Sequence, residues 1–260
     1  PLAEIVPMLR DAGVQQVFVD GAHVPGQMDV DVPALGVDFY TGNLHKWCYC
    51  PPAVAFLYIE SAEALKEAHY PVISHAYNTG LVSETSFVGT RDYSMFAAVP
   101  AAIAFQRSFT APSIPEYTHK LVTEAAAMLA EAWGSRLGQP DDSCGSLMMV
   151  GLPEAAGSTL EDLGTLVSAL KKRGLWTWGA GTIGEDGRLY MRLSAAAYNS
   201  MEQFEQLRAI PWMNGYLTHL TEYNAKYGSR DKHPTAAQKF LMLKALDAKP
   251  TKEDRFTITE

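Results

Sequence analysis

Three short apolar runs constrain this chain more than any other feature: Val14 to Val19, Val37 to Tyr40 and Val54 to Ile59. Each has the length of a buried strand and is too short for a helix face. Leu2, Ile5, Val6 and Leu9 precede them at helical spacing, Gly13 is a helix stop, and Ser61 is a good N-cap for a helix that follows. Helix, strand, strand, strand, helix is the order of an open α/β sheet, whose strand ends present loop residues to a ligand. Residues Tyr70 to Thr90 show no period and read as a long functional loop. Helices are expected over Asp92 to Phe109 and Pro115 to Leu137. The pattern then changes to a strand (Leu147 to Leu152), a helix (Thr159 to Arg173), strands near Leu175 to Trp178 and Arg188 to Ser194, and a helix over Met201 to Ile210. Two more helices follow Pro211, and a polar tail runs from Lys249 to Glu260. The organisation expected is therefore residues 1–112, a smaller α/β unit 113–210, and an extension 211–260.

A formal net charge of -8 argues against a nucleic-acid groove. No apolar run reaches the roughly 18 residues of a membrane helix. Three cysteines cannot all pair, and Cys48 and Cys50 are near neighbours, which favours a reduced, intracellular and cytoplasmic setting. The chain opens on Pro1 inside what reads as the end of a helix. It is expected to be a piece of a longer protein, so organelle targeting stays open.

Three stretches carry the chemistry. Asp20-Gly21-Ala22-His23 places an acid and two small residues at a strand end, where a flat ring can approach the backbone. A pyridoxal-phosphate (PLP) ring needs a carboxylate against its pyridine nitrogen; a strand-end Asp capping a turn is the alternative. In Gly42-Asn43-Leu44-His45-Lys46-Trp47 a lysine lies between His45 and Trp47, in a stretch otherwise free of charge. That setting suits an amine desolvated enough to attack an aldehyde. Gly89-Thr90-Arg91-Asp92 offers a hydroxyl and backbone amides at a helix start, fit for a phosphate or for an ordinary N-cap.

Together these stretches resemble the class-V aminotransferase superfamily, in its isopenicillin N epimerase-like and plant L-cysteine desulfhydrase-like branch. His45-Lys46-Trp47 followed by Cys50-Pro51-Pro52-Ala53-Val54-Ala55-Phe56-Leu57-Tyr58 is the most specific match. Tyr70-Pro71-Val72-Ile73-Ser74-His75 and Gly89-Thr90-Arg91-Asp92-Tyr93-Ser94 extend it. The resemblance implies the PLP-dependent fold type I, with the C-terminal half of the large-domain sheet plus a smaller α/β domain. It implies a Schiff-base link at Lys46, which also serves as acid and base. Asp20 would pair with the ring nitrogen, Ala22 would pack beneath the ring, and His23 would bond its phenolic oxygen. Asn43 and His45 would contact the phosphate. Thr90 would reach the phosphate of the partner subunit, making a homodimer with shared sites. Arg192 would grip the substrate carboxylate, with Arg173 and Arg188 as competitors. The phosphate-cradling loop would lie in a preceding part, so this piece alone is expected to bind PLP poorly.

Fold cannot choose among the reactions of such enzymes. Desulfuration needs a nucleophilic cysteine, and Cys144 stands beside Asp141 and Asp142, which disfavour a thiolate. β-Elimination from L-cysteine or a related sulfur amino acid is the reading preferred. Epimerisation, transamination and a hercynylcysteine sulfoxide lyase activity are the enzyme alternatives. A non-catalytic interaction module is disfavoured by the presence together of Lys46, Asp20, His23 and Arg192.

Overall fold

The computed structural model describes residues 1–210 apart from 154–155, 173 and 176–181. The expected helices and tail after Pro211, Arg173, and most of the strand near Leu175 to Trp178 lie outside the described residues. The chain forms two compact units, Pro1–Lys120 and Leu121–Glu260.

The first unit begins with helix α1 (Leu2–Asp11), then strands β1 (Phe18–Asp20), β2 (Phe39–Asn43) and β3 (Ala55–Ile59). Their order is β1-β2-β3; β1 runs parallel to β2, and β3 antiparallel to it. Strand β1 starts later than its apolar run because polar groups claim the preceding backbone. Arg10 donates to Gln15 O at 2.6 Å and to Asp38 Oδ2 at 2.7 Å, and the same Oδ2 accepts the Val17 amide at 2.6 Å. Burial of Asp38 is outweighed by the Val17 amide and Arg10, which hold its carboxyl below the ordinary range.

Alternation along β2 turns Tyr40 and Gly42 inward, and Tyr40 packs with Val6, Val17 and Val37. The opposite sheet face leaves Phe18 and Leu57 exposed.

Helix α2 (Ala62–Glu67) is capped as expected, with Ser61 Oγ accepting the Ala64 amide at 3.2 Å. The segment expected to be one long loop contains a helix, α3 (Leu81–Ser86), organised around a buried carboxylate. Glu84 accepts the Tyr70 amide at 3.0 Å, the Asn78 amide at 2.9 Å and His69 Nδ1 at 3.1 Å. These donors, the Tyr70 amide foremost, outweigh burial and hold its carboxyl below the ordinary range. The stabilisation it supplies is fully present above that range and is lost as pH falls through the lowered value. Glu84→Gln puts an NH2 against groups that already donate. Hydrogen exchange at the Tyr70 and Asn78 amides should quicken by about tenfold or more at neutral pH. The wild-type protection should decline on acidification, while that of the variant stays flat. Equal protection in both proteins would show that Glu84 does not hold the segment.

The helix expected over Asp92 to Phe109 is two helices, α4 (Ser94–Ala97) and α5 (Val99–Arg107). Pro100 lies in the first turn of α5, where its missing N–H costs nothing, and it cannot continue a preceding helix.

Helix α6 (Ile114–Ala132) spans the division and stops short of Leu137, before Gly134 at φ +57°. The second unit continues with β4 (Leu147–Gly151), α7 (Leu160–Lys172), β5 (Thr182–Ile183), β6 (Leu189–Ser194) and α8 (Met201–Arg208). Its strands form an antiparallel sheet in the order β4-β6-β5. Leu129, Trp133, Met148, Leu170 and Met191 pack in its core. Strand β5 was not foreseen, being only two residues long.

Candidate active site

The lysine sits in the loop of residues 44–54 that joins β2 to β3. One carbonyl organises this loop: Val54 O accepts the Leu44 amide at 2.9 Å, the His45 amide at 3.2 Å and His45 Nδ1 at 2.8 Å. The Cys50 amide returns to Leu44 O at 3.2 Å. Cys48, Cys50 and Val54 pack with Leu44, Met95, Val99 and Ala102. Burial raises both thiols above their ordinary values, which disfavours their thiolates and fits their packing in this cluster. Tyr49 (φ 60°) and Ala53 (φ 71°) hold left-handed backbone, which costs about 1–2 kcal/mol each. The anchored carbonyl and the buried underside sustain that strain. Lys46 is half-buried on this loop, with no hydrogen bond or ion pair among the described residues.

Asp20 ends β1 and pairs in register with Thr41, so it and the lysine loop lie at the carboxyl ends of two parallel strands. Its Oδ1 accepts the Ala22 amide at 3.0 Å. Gly21 lies directly on Tyr40, where a Cβ would fall 2.1 Å from the ring. Burial, and then the Asp20 charge, raise the Tyr40 hydroxyl above its ordinary value. A Cβ on Gly42 would meet Phe56 at 2.5 Å and Pro25 at 2.7 Å, so the segment after Asp20 lies across the end of β2. Trp47 Nε1 donates to His23 Nδ1 at 3.2 Å, and Gln106 Nε2 donates to Trp47 O at 2.6 Å.

Of the residues singled out from sequence, Asp20, Ala22, His23, Asn43, His45 and Lys46 thus lie at one sheet edge, on β1, β2 and the segments that follow them. Thr90 is exposed in the segment between α3 and α4. Arg192 belongs to the second unit, on β6, opposite Met149 in register. Arg188 is engaged elsewhere: its Nε lies 3.7 Å from Asp186, which also holds Arg136 at 3.0 Å, and it donates to Leu152 O at 3.3 Å. Cys144 donates to Asp141 O at 3.3 Å, and burial, then Asp141 and Asp142, raise its thiol. Sequence reasoning treated Trp47 as a flank and passed over Gln106. Their contacts join residues 24 and 59 apart, and no local pattern marks such pairs.

The Aminotransferase class-V family model matches residues 1–207. The chain belongs to the class-V aminotransferase family. Its class-V relatives include the L-cysteine desulfhydrase of Arabidopsis thaliana, 38% identical over 225 residues, which are 80% of this chain and 49% of that protein. A second Arabidopsis protein, named "Probable L-cysteine desulfhydrase, chloroplastic", is 40% identical over 80% of this chain and 46% of its own length. The isopenicillin N epimerase of Streptomyces clavuligerus is 29% identical over 80% of this chain and 54% of its own. The chain spans about half the length of the curated relatives it matches. Among solved structures, a cysteine desulfurase from Thermococcus onnurineus NA1 superposes with a TM-score of 0.60 at 19% identity, covering 84% of this chain and 56% of that one. The α/β fold is therefore that of the PLP-dependent fold type I enzymes. No helix among the described residues is long and apolar enough to cross a membrane. The chloroplastic relative shows that membership of the family does not by itself set a cytoplasmic location.

Proposed function

We propose that this protein is a PLP-dependent lyase that eliminates the sulfur group of L-cysteine or a related sulfur amino acid. The observation that carries the reading is the sheet edge where Asp20 ends β1, Lys46 follows the adjacent parallel strand β2, and Trp47 bonds His23. The identity of nearly 40% to proteins named L-cysteine desulfhydrase supports the choice of reaction.

The donor set suits PLP. Lys46 offers an amine with no ion-pair partner among the described residues, and Asp20 an exposed carboxylate at a strand end. His45 Nδ1 is committed to Val54 O, so only its Nε2 can face a phosphate, and it donates there when the ring carries both hydrogens. Asn43 stands at the end of β2 as a second polar group for the phosphate. When bound, PLP draws electrons from the α-carbon of an amino acid. In this reading Lys46 carries the covalent link and then moves the proton at the α-carbon. Asp20 keeps the ring nitrogen protonated, and Ala22 leaves room for the ring. Arg192 is assigned the substrate carboxylate, with Arg188, which lies 3.7 Å from Asp186, as the competitor among the described residues. The protein would act as a homodimer, with Thr90 reaching the partner's phosphate. The exposed Ile73, at 76%, and the exposed Val72, Val82 and Phe87 of the neighbouring segment support that pairing.

Elimination converts L-cysteine and water into sulfide, pyruvate and ammonia. Incubation of the full-length protein with PLP and L-cysteine should release sulfide and pyruvate in equal amounts; this chain alone, lacking the preceding part, is expected to be inactive. Alanine in place of pyruvate would mean desulfuration, and D-cysteine without sulfide would mean epimerisation; either would refute the lyase reading.

A further inference from the structure

His23 and Trp47 come from different segments, yet the indole Nε1 lies 3.2 Å from the imidazole Nδ1. An indole nitrogen can only donate, so Nδ1 must present its lone pair. In the neutral ring the hydrogen then resides on Nε2. We propose that Trp47 is a positioning residue, whose indole N–H fixes His23 as the Nε2–H tautomer and so makes the ring a hydrogen-bond donor toward the phenolic oxygen of PLP. The acceptor in this statement rests on the cofactor reading above; the tautomer does not.

The Trp47 main chain, from which the indole projects, is held by contacts from two segments. Gln106, on α5, donates to Trp47 O at 2.6 Å and to Gly26 O at 3.4 Å, tying the lysine loop to the segment after β1. Gly26, at φ +87°, comes so close that a Cβ would stand 2.4 Å from Trp47 O. Gln27 Nε2 in turn donates to the His23 carbonyl. The two rings are tilted by 53° with centroids 6.4 Å apart, so they meet through the N–H and not by stacking. The other tautomer would set an imidazole N–H against the indole N–H and lose the bond at a half-buried site. It would also turn a lone pair, in place of a hydrogen, toward any anionic oxygen at Nε2. A histidine's second nitrogen is set by what its first one binds, and here the first one binds the residue next to Lys46.

The test uses the full-length protein, of which this chain is expected to be a piece, labelled with 15N-histidine, without PLP and then with it. At alkaline pH the His23 signal, identified by its loss in His23→Ala, should show an unprotonated Nδ1 and a protonated Nε2. Trp47→Phe keeps an aromatic ring but removes the N–H, and should convert that signal to a mixture of tautomers. With PLP bound, the pH midpoint of its visible band should rise by about one unit in Trp47→Phe, because a donor to the deprotonated phenolic oxygen is weakened. His23→Ala should raise it as much or more, and the double variant no further than His23→Ala alone, since Trp47 acts through His23. A wild-type ring protonated on Nδ1 overturns the proposal, even if no variant folds. So does a tautomer that Trp47→Phe leaves unchanged, or midpoint shifts that add in the double variant. Absence of any PLP band in the wild-type full-length protein refutes the cofactor reading, and the acceptor with it, while the tautomer is still decided by the nitrogen spectrum.

Discussion

Lys46→Ala is expected to abolish the adduct that borohydride traps between protein and PLP, and to lower turnover by about a thousandfold or more. Two roles meet on this one amine in the proposed reaction: it holds the aldehyde carbon of PLP, and it moves the proton at the substrate α-carbon. Two other lysines belong to the first unit. Lys66 is turned to solvent beside Glu63, with its side chain 74% exposed, and Lys120 lies on α6, at the end of the unit. The loop itself should survive the substitution, because its geometry comes from the Val54 carbonyl and the buried Cys48, Cys50 and Val54. Mass spectrometry of the reduced, digested protein checks the point directly. A trapped adduct that persists on a different lysine in Lys46→Ala would overturn the assignment.

The second large effect is expected from Asp20→Asn, which should reduce turnover about 10²–10³-fold while changing amino-acid binding little. The substitution is mild for the fold. Asp20 Oδ1 accepts the Ala22 amide, and an asparagine oxygen can accept it equally well. What disappears is the negative charge, which would keep the ring nitrogen of PLP protonated. Protonation of that nitrogen matters most when negative charge builds on the α-carbon, so its loss is felt in the transition state more than in the bound substrate. Stopped-flow binding of L-cysteine set beside steady-state turnover separates the two. Unchanged turnover would show that the carboxylate only caps the turn at the end of β1.

Much of this site is legible from local chemistry. A lysine between His45 and Trp47 in an otherwise uncharged stretch, and an acid followed by two small residues at a strand end, announce themselves over a few residues. So does the Ser61 cap, since its bond to the Ala64 amide spans one helical turn. The long polar stretch after Tyr70 misled because its organising group is one carboxylate, Glu84, that gathers donors 14, 15 and 6 residues away. The uninterrupted helix expected after Asp92 failed for a local reason that was readable, the proline at 100.

The sequence by itself pointed to the main strands and their flanking helices, to the family, and to Lys46, Asp20 and His23 as candidates, because these depend on residue type and short spacing. Only the tertiary structure brought the Trp47 indole to His23, set Arg136 and Arg188 against Asp186, and buried Cys48 and Cys50. Those properties follow from burial and from hydrogen bonds between residues distant in sequence, which exist only once the strands and loops have been brought together.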